Sequence, residues 1–278
     1  MTLVAESATA PDAIEATLNY VLNTGEIIYN YSGGAGSTEV SSNITADPRR
    51  VTLRNGRRSG EMFDIDRQGF ALVDHATAMQ DFFNPEQLQQ VYFSEMEALV
   101  KAQTGASRVV VFDHTLRTAD DDKREALKIR EVVRRVHNDY TEWSARQRIR
   151  DVLPDEADAL ISKRCAIVQV WRPITHPVES FPLALCDARS VAMSDLIVAE
   201  RRYPGRIGQT YSVAANEHHK WVWFPSMQRD EALVFKVYDS STDGRARFVP
   251  HTAFDDPTTT PNARPRESIE TRMFAFFD

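Results

Sequence analysis

The segment RRVHNDYTEW, residues 134–143, sets a histidine two positions before an aspartate. Alternate residues of a strand project to one face. At a strand end, His137 and Asp139 therefore reach into the same space while Asn138 faces away. An imidazole beside a carboxylate supplies two of the three ligands of the facial triad, the two-histidine, one-carboxylate set that leaves positions open on non-haem Fe(II). The bland alternative is a surface histidine beside an acid that starts a turn. With 7 histidines and 40 acidic residues in the chain, one such pair can arise by chance.

The C-terminal stretch VPHTAFDDPTTTPNARPRESIETRMFAFF changes that balance. It offers His251, on a different strand, as the second imidazole. Arg266 and Ser268 follow as Arg-x-Ser at the start of the last strand. An arginine fork and a hydroxyl on one strand face suit the distal carboxylate of 2-oxoglutarate, because the contact is bidentate and charge-assisted. The order His-x-Asp, distant His, Arg-x-Ser is more specific than any of its parts. Arg57-x-Ser59 also matches, but it precedes the metal motif.

Rivals exist for each role. His218 and His219 precede a Trp-Val-Trp strand and compete with His251, or else line the pocket mouth. Arg229 follows His219 at a suggestive distance, but SMQRDE reads as a turn that leaves it solvated. Arg272 shares strand parity with Arg266 and is the fallback for the cosubstrate, its other reading being a salt bridge with Glu270. Tyr211 is a candidate donor to the 2-oxoglutarate carboxylate, against half-buried packing. Trp171, Arg172 and His219 are candidate substrate contacts, against structural roles. His75, His114 and His176 read as structural, and Cys165 and Cys186 as buried small hydrophobes.

The elements that must position these residues divide the chain in two. DAIEATLNYVLNTG reads as a short helix, and YSGGAGSTEVSSNITADPRR as an exposed loop. RVTLRNGRR reads as a strand entering a turn. NPEQLQQVYFSEMEALVKAQTG is the clearest helix, capped by Asn84, with Pro85 at its first position and Gly105 as its stop. SRVVVFDHTLR reads as a buried strand, DDDKREALKIREV as helix or loop, and ARQRIRDVLPDEADALISKR as a helical pair broken at Pro154. Beyond Cys165 come short strands with turn residues between them, the pattern of an antiparallel sandwich or barrel. The expected fold is α+β with a mainly β, jelly-roll (cupin-like) core buttressed by N-terminal helices. Residues 1–278 are expected to form one domain: a mixed helical part to about 110, then the core, with a helical insert near 144–163.

The composition is ordinary for a globular protein, at 42% hydrophobic and 26% charged residues. The net charge of −7 and the lack of a basic face argue against a nucleic-acid partner. No apolar run is long enough to span a membrane, and the first residues lack the pattern of a secretory signal. Two cysteines make neither a disulfide framework nor a zinc cluster. A cytoplasmic protein is expected, with a homodimer compatible. Trp171, Tyr211, Trp221, Trp223, Phe224, Phe235 and Tyr238 suggest a mostly apolar small-molecule pocket.

The stretches VHNDYT, VWRPITHPV, PLALCDARSV, HHKWVWFPSMQRDEALVFKVYDS, PHTAFDDP and PRESIETRMFAFF, with TGASRVVVFDHTLR, resemble the 7α-cephem methoxylase-related family. This family includes fungal hydroxylase/desaturases of natural-product pathways, and the likeness spans roughly residues 60–278 in family order. It implies a distorted double-stranded β-helix and an oxygenase using Fe(II), 2-oxoglutarate and O2. It maps metal ligands onto His137, Asp139 and His251, and the cosubstrate motif onto Arg266 and Ser268. The carboxylate at Asp139 fills the position that a halogenating relative would leave for chloride, so hydroxylation or desaturation of a secondary-metabolite intermediate is implied. Two other readings stand beside it: a catalytically silent jelly-roll binding protein, and a cupin-type metal dioxygenase without 2-oxoglutarate.

Overall fold

In a computed structural model that describes residues 10–32 and 40–278, the strands form two sheets facing each other as a jelly roll. The smaller sheet holds, in spatial order, Phe70–Asp74, Glu231–Asp239, Cys165–Pro173, Glu267–Phe276 and Arg108–Thr118, all antiparallel. The larger runs Ala13–Val21, Ala46–Asn55, Trp221–Trp223, Leu183–Cys186, His251–Ala253, His137–Asn138, Arg206–Val213, Leu196–Tyr203, Ile28–Ser32 and Val40–Ser42.

The smaller sheet is covered on both sides, which explains its sequence. Every residue of Cys165–Pro173, Glu231–Asp239 and Glu267–Phe276 is buried. Strands covered on two faces read as near-continuous apolar runs rather than alternating ones. On one face Ile167, Trp171, Phe235 and Phe274 join the core between the sheets. On the other, Val168, Val170, Val234 and Met273 pack with Leu99 and Val100 of the helix Phe93–Thr104. That helix is entered through Pro85–Gln87 and a π-helical stretch Leu88–Tyr92. Asn84 caps it by accepting from the amides of Glu86 and Gln87, and Gly105 ends it in the left-handed region at φ 71°.

The structure corrects several expectations. DAIEATLNYV is a strand, with Ile14, Ala16, Leu18 and Tyr20 buried and Ala13, Glu15 and Thr17 exposed. Its apolar residues satisfy a period of two, and pairing along its whole length with Ala46–Asn55 decides in favour of the sheet. The glycine-rich segment is not simply a loop: Ile28–Ser32 and Val40–Ser42 form an edge of the larger sheet, and residues 33–39 lie outside the described ones. The helices expected before residue 110 therefore reduce to the single run from Pro85 to Thr104. The helical pair at Glu142–Val152 and Ala157–Ile161 is present, with the break at Pro154 between them. No helix among the described residues is long and apolar enough to cross a membrane.

Candidate metal centre and its cosubstrate pocket

His137 lies opposite His251 in the register of two short neighbouring strands. This pairing brings together imidazoles 114 residues apart, with ring centroids separated by 4.4 Å. Asp139 reaches the same space, its Oδ1 3.4 Å from His137 Nε2. One ligand atom from each of His137, Asp139 and His251 lies within 4.8 Å of the other two, so the three can hold a metal ion.

The surroundings select the metal-binding form of each group. His137 Nδ1 lies 2.8 Å from the Arg135 carbonyl, and His251 Nδ1 2.9 Å from the Val249 carbonyl. A proton on Nδ1 donated to each carbonyl leaves Nε2 bare for coordination. Burial pushes the His251 pKa down to about 4, with the neighbouring His137 acting the same way, so the ring is neutral at pH 7. Burial works against ionisation of Asp139, but the Arg272 guanidinium and His137 outweigh it and hold the carboxyl well below 3.8.

Asp139 is anchored through its other oxygen. Arg272 Nε donates to Oδ2 over 2.9 Å, and the Gln169 amide donates to the same atom. Gln169 and Arg272 are direct cross-strand partners in the smaller sheet. Arg272 also binds Asp113 over 3.0 Å and Glu270. It is thus not free for a cosubstrate, and the salt-bridge reading of this residue describes it. Glu270 in turn accepts from Arg117 at 2.8 Å.

Arg266 sits differently. It lines a small cavity together with His137, His251, Trp171, Leu183 and Glu270. Its side chain is 2% exposed and has no carboxylate within ion-pair distance among the described residues. Its guanidinium lies 5.3 Å above the Trp171 ring and donates to the Phe181 carbonyl. Phe181 adopts a φ of 45°, rare for a residue with a side chain, and turns that carbonyl to the arginine. The Arg266 Nε is buried without a partner, and so is the Ser268 hydroxyl. Burial draws the Arg266 pKa down to about 9, which leaves it charged at pH 7. A buried, unpaired cation is costly, and the chemistry of this pair suits an incoming carboxylate.

Other candidates lie elsewhere. Arg172 faces the opposite side of its strand from Trp171 and donates to the carbonyls of His75 and Arg229, a packing role. Tyr211 pairs in register with Asn138 rather than His137, packs edge-on against Phe248 at 5.2 Å, and bonds the backbone at Glu142, so it does not reach the cavity. His219 stacks on Tyr20 and bonds both Tyr20 and Asp195, at 3.0 and 3.2 Å; Trp221 Nε1 donates to the same tyrosine. That buried network shares no bond with the metal cluster. Arg229 is not solvated: it donates to the carbonyls of Ile174 and Met79. Of the aromatic residues, Trp221, Trp223, Phe224, Phe235 and Tyr238 are core, and Phe235 meets the His251 ring edge-on at 4.9 Å.

The space open to Asp139 is instead polar. A cavity of about 310 Å³ has Asp139 and Arg272 in its wall and Trp143 and Arg148 among the residues around it. Sequence reasoning missed Gln169 as an anchor, although one amide in the otherwise apolar CAIVQVW was the signal.

The fold and this site define a non-haem Fe(II)/2-oxoglutarate-dependent oxygenase. The chain belongs to the family described as Oxidoreductase/YMDC permease-like domain, whose model matches residues 18–276. It is 36% identical to hydroxylase/desaturase CTB9 of Cercospora beticola, across 84% of this chain and 78% of the relative. It is 33% identical to hydroxylase/desaturase efuI of Hormonema carpetanum, across 100% and 98%. The fold matches that of the iron and alpha-ketoglutarate-dependent endoperoxidase NvfI with a TM-score of 0.84 and 27% identity, covering 96% and 99% of the two chains. The resemblance seen in the sequence holds.

Proposed function

We propose that the protein oxidises a C–H bond of a small natural-product intermediate, by hydroxylation or desaturation, while 2-oxoglutarate and O2 are converted to succinate and CO2. His137, Asp139 and His251 would hold Fe(II), and Arg266 with Ser268 would bind the far carboxylate of 2-oxoglutarate. The observation that carries this reading is the buried Arg266 guanidinium, unpaired and aimed into the cavity that His137 and His251 also line.

Bound iron would supply the redox chemistry. The chain supplies the rest. The backbone carbonyls of Arg135 and Val249 fix the ring orientation of the two histidines. Gln169 and Arg272 hold Asp139 Oδ2 and so turn Oδ1 toward the imidazoles. Trp171 covers the Arg266 guanidinium and shields the charge pair from water. The names of the relatives support the class of reaction, hydroxylase/desaturase among them. We further take residues 1–278 as one domain and the cytoplasm as its location, in keeping with the free thiols of Cys165 and Cys186.

The test is anaerobic titration with Fe(II) and then 2-oxoglutarate. A weak visible charge-transfer band appears if both bind at one centre, and O2 uptake with succinate release then rises on adding candidate biosynthetic intermediates. Absence of the band sinks the reading. Stimulation by methylated oligonucleotides or peptides alone would reassign the substrate.

A further inference from the structure

The cavity beside Asp139 has an unbalanced wall. Five arginines line it, Arg130, Arg148, Arg201, Arg206 and Arg272, against three acids. Each of those acids is engaged within the protein. Arg272 takes Asp113 and Asp139, and Gln147 donates to Asp151 at 2.8 Å. The other four arginines have no carboxylate within ion-pair distance among the described residues. Arg148 lies over the Phe112 ring, with its guanidinium carbon 5.4 Å from the centroid, which leaves its nitrogens open. Arg201 crowds a fifth unpaired cation, Arg135, whose Nε is buried without a partner and whose charge Arg201 opposes.

This is unusual for the chain as a whole, which carries a net charge of −7. Acids are plentiful, yet only three line this wall, and two of them are taken by Arg272. Four arginines without an ion pair, gathered around one concavity with Asp151 as the one acid that no cation takes, favour the entry of an anion. The volume, about 310 Å³, is that of a small-molecule site rather than a macromolecular groove. At its rim stand Trp143 and Ile207, 50% and 52% exposed, apolar surfaces beside the cations.

We propose that this cavity binds the substrate and that the substrate is an organic acid: a carboxylate that pairs with Arg148 and Arg201, carried on an apolar or aromatic body that rests on Trp143 and Ile207. Charge pairing at the outer wall would orient that body, so that its far end approaches the space bounded by Asp139. The inference rests on the proposed function for the identity of the centre, but the cavity and its charge are independent of it.

The experiment uses the full chain with Fe(II) and saturating 2-oxoglutarate under anaerobic conditions, with 2-naphthoate and its neutral counterpart 2-naphthamide as probes in calorimetric titration. The acid should bind at least about tenfold more tightly than the amide, leaving the charge-transfer band in place. Arg148→Gln and Arg201→Gln should each reduce that preference, and the double variant should abolish it with the band retained. Equal binding of acid and amide, no binding, or a preference that survives in the double variant overturns the proposal. So does loss of the band on adding naphthoate, which would put the acid in the cosubstrate pocket. If the band never forms while the naphthoate preference is present and arginine-dependent, the functional reading fails and the acid site stands.

Discussion

Arg272 Nε and Asp139 Oδ2 lie 2.9 Å apart, and this bond ties the third candidate ligand to the smaller sheet. Asp139 follows a two-residue strand of the larger sheet, whereas Arg272 and its partner Gln169 belong to the two long central strands of the smaller one. The carboxylate is therefore oriented across the sandwich, by groups that never touch the metal position. Such partners commonly set metal affinity by about 10–100-fold.

Replacing Arg272 by methionine is thus expected to weaken Fe(II) binding by about 10–100-fold. It also leaves Glu270 and Asp139 short of a buried counter-charge, which lowers the thermal midpoint. Anaerobic competition for the metal against a chelator of known affinity measures the first effect. Iron binding left intact, with 2-oxoglutarate binding lost, would give Arg272 the cosubstrate role instead.

Arg266→Gln should act in the opposite order. Iron binding is expected to be nearly unchanged, because no hydrogen bond or ion pair links Arg266 to the three candidate ligands. Losing one partner of a buried charge-assisted pair costs about 2–5 kcal/mol, which raises the apparent constant for 2-oxoglutarate at least tenfold. The charge-transfer titration resolves the two steps. Equal 2-oxoglutarate binding in variant and parent would remove Arg266 from the site.

The roles of the histidines separate cleanly. His137→Ala and His251→Ala should each abolish Fe(II)-dependent turnover and leave the fold largely intact. His219→Ala should keep turnover and lower stability, since it breaks the buried contacts to Tyr20 and Asp195. Normal turnover in His251→Ala with loss in His219→Ala would reverse the assignment.

How far the sequence reached can be judged from particular residues. The parity of positions 266, 268, 270 and 272 put four side chains on one face, and Ser268, Glu270 and Arg272 are all cross-strand neighbours of inward residues there. The pairing of His137 with His251 was legible only as order along the chain, because no local pattern encodes the register of strands so far apart. Parity alone does not decide which face of FKVYDS looks inward, because the backbone breaks it there. A register shift between Lys236 and Tyr238 turns Tyr238 into the inter-sheet core while Lys236 faces Asp239. The first strand was misread because Ala, Ile, Leu and Tyr at those spacings serve either period, and the choice was made by a partner strand that begins 25 residues after the first one ends. The aromatic residues suggested an apolar pocket, but they fill the core, and the arginines of the cavity come from scattered segments with no shared motif.

The last prediction concerns the base of the same bulge. Lys236 and Asp239 are both fully buried and 2.8 Å apart, and Arg164 binds the second face of that carboxylate. Burial opposes ionisation of Asp239, but the hydrogen bond from Arg164 and the Lys236 charge together hold its pKa below 3.8. A carboxyl depressed in the folded state contributes stability that is fully present above its unfolded pKa and is lost as pH falls through the folded one. Asp239→Asn leaves a buried ammonium with only the half-exposed Asp66 as counter-charge, which should cost about 3–5 kcal/mol. At about 2–4 °C per kcal/mol for a chain of this size, the thermal midpoint at pH 7 falls by roughly 6–20 °C. The difference between parent and variant should narrow as the pH is lowered below 4, because the parent then loses the same charge. A pH series of thermal melts measures both effects. A constant difference across the series would show that packing, rather than the ion pair, carries the loss.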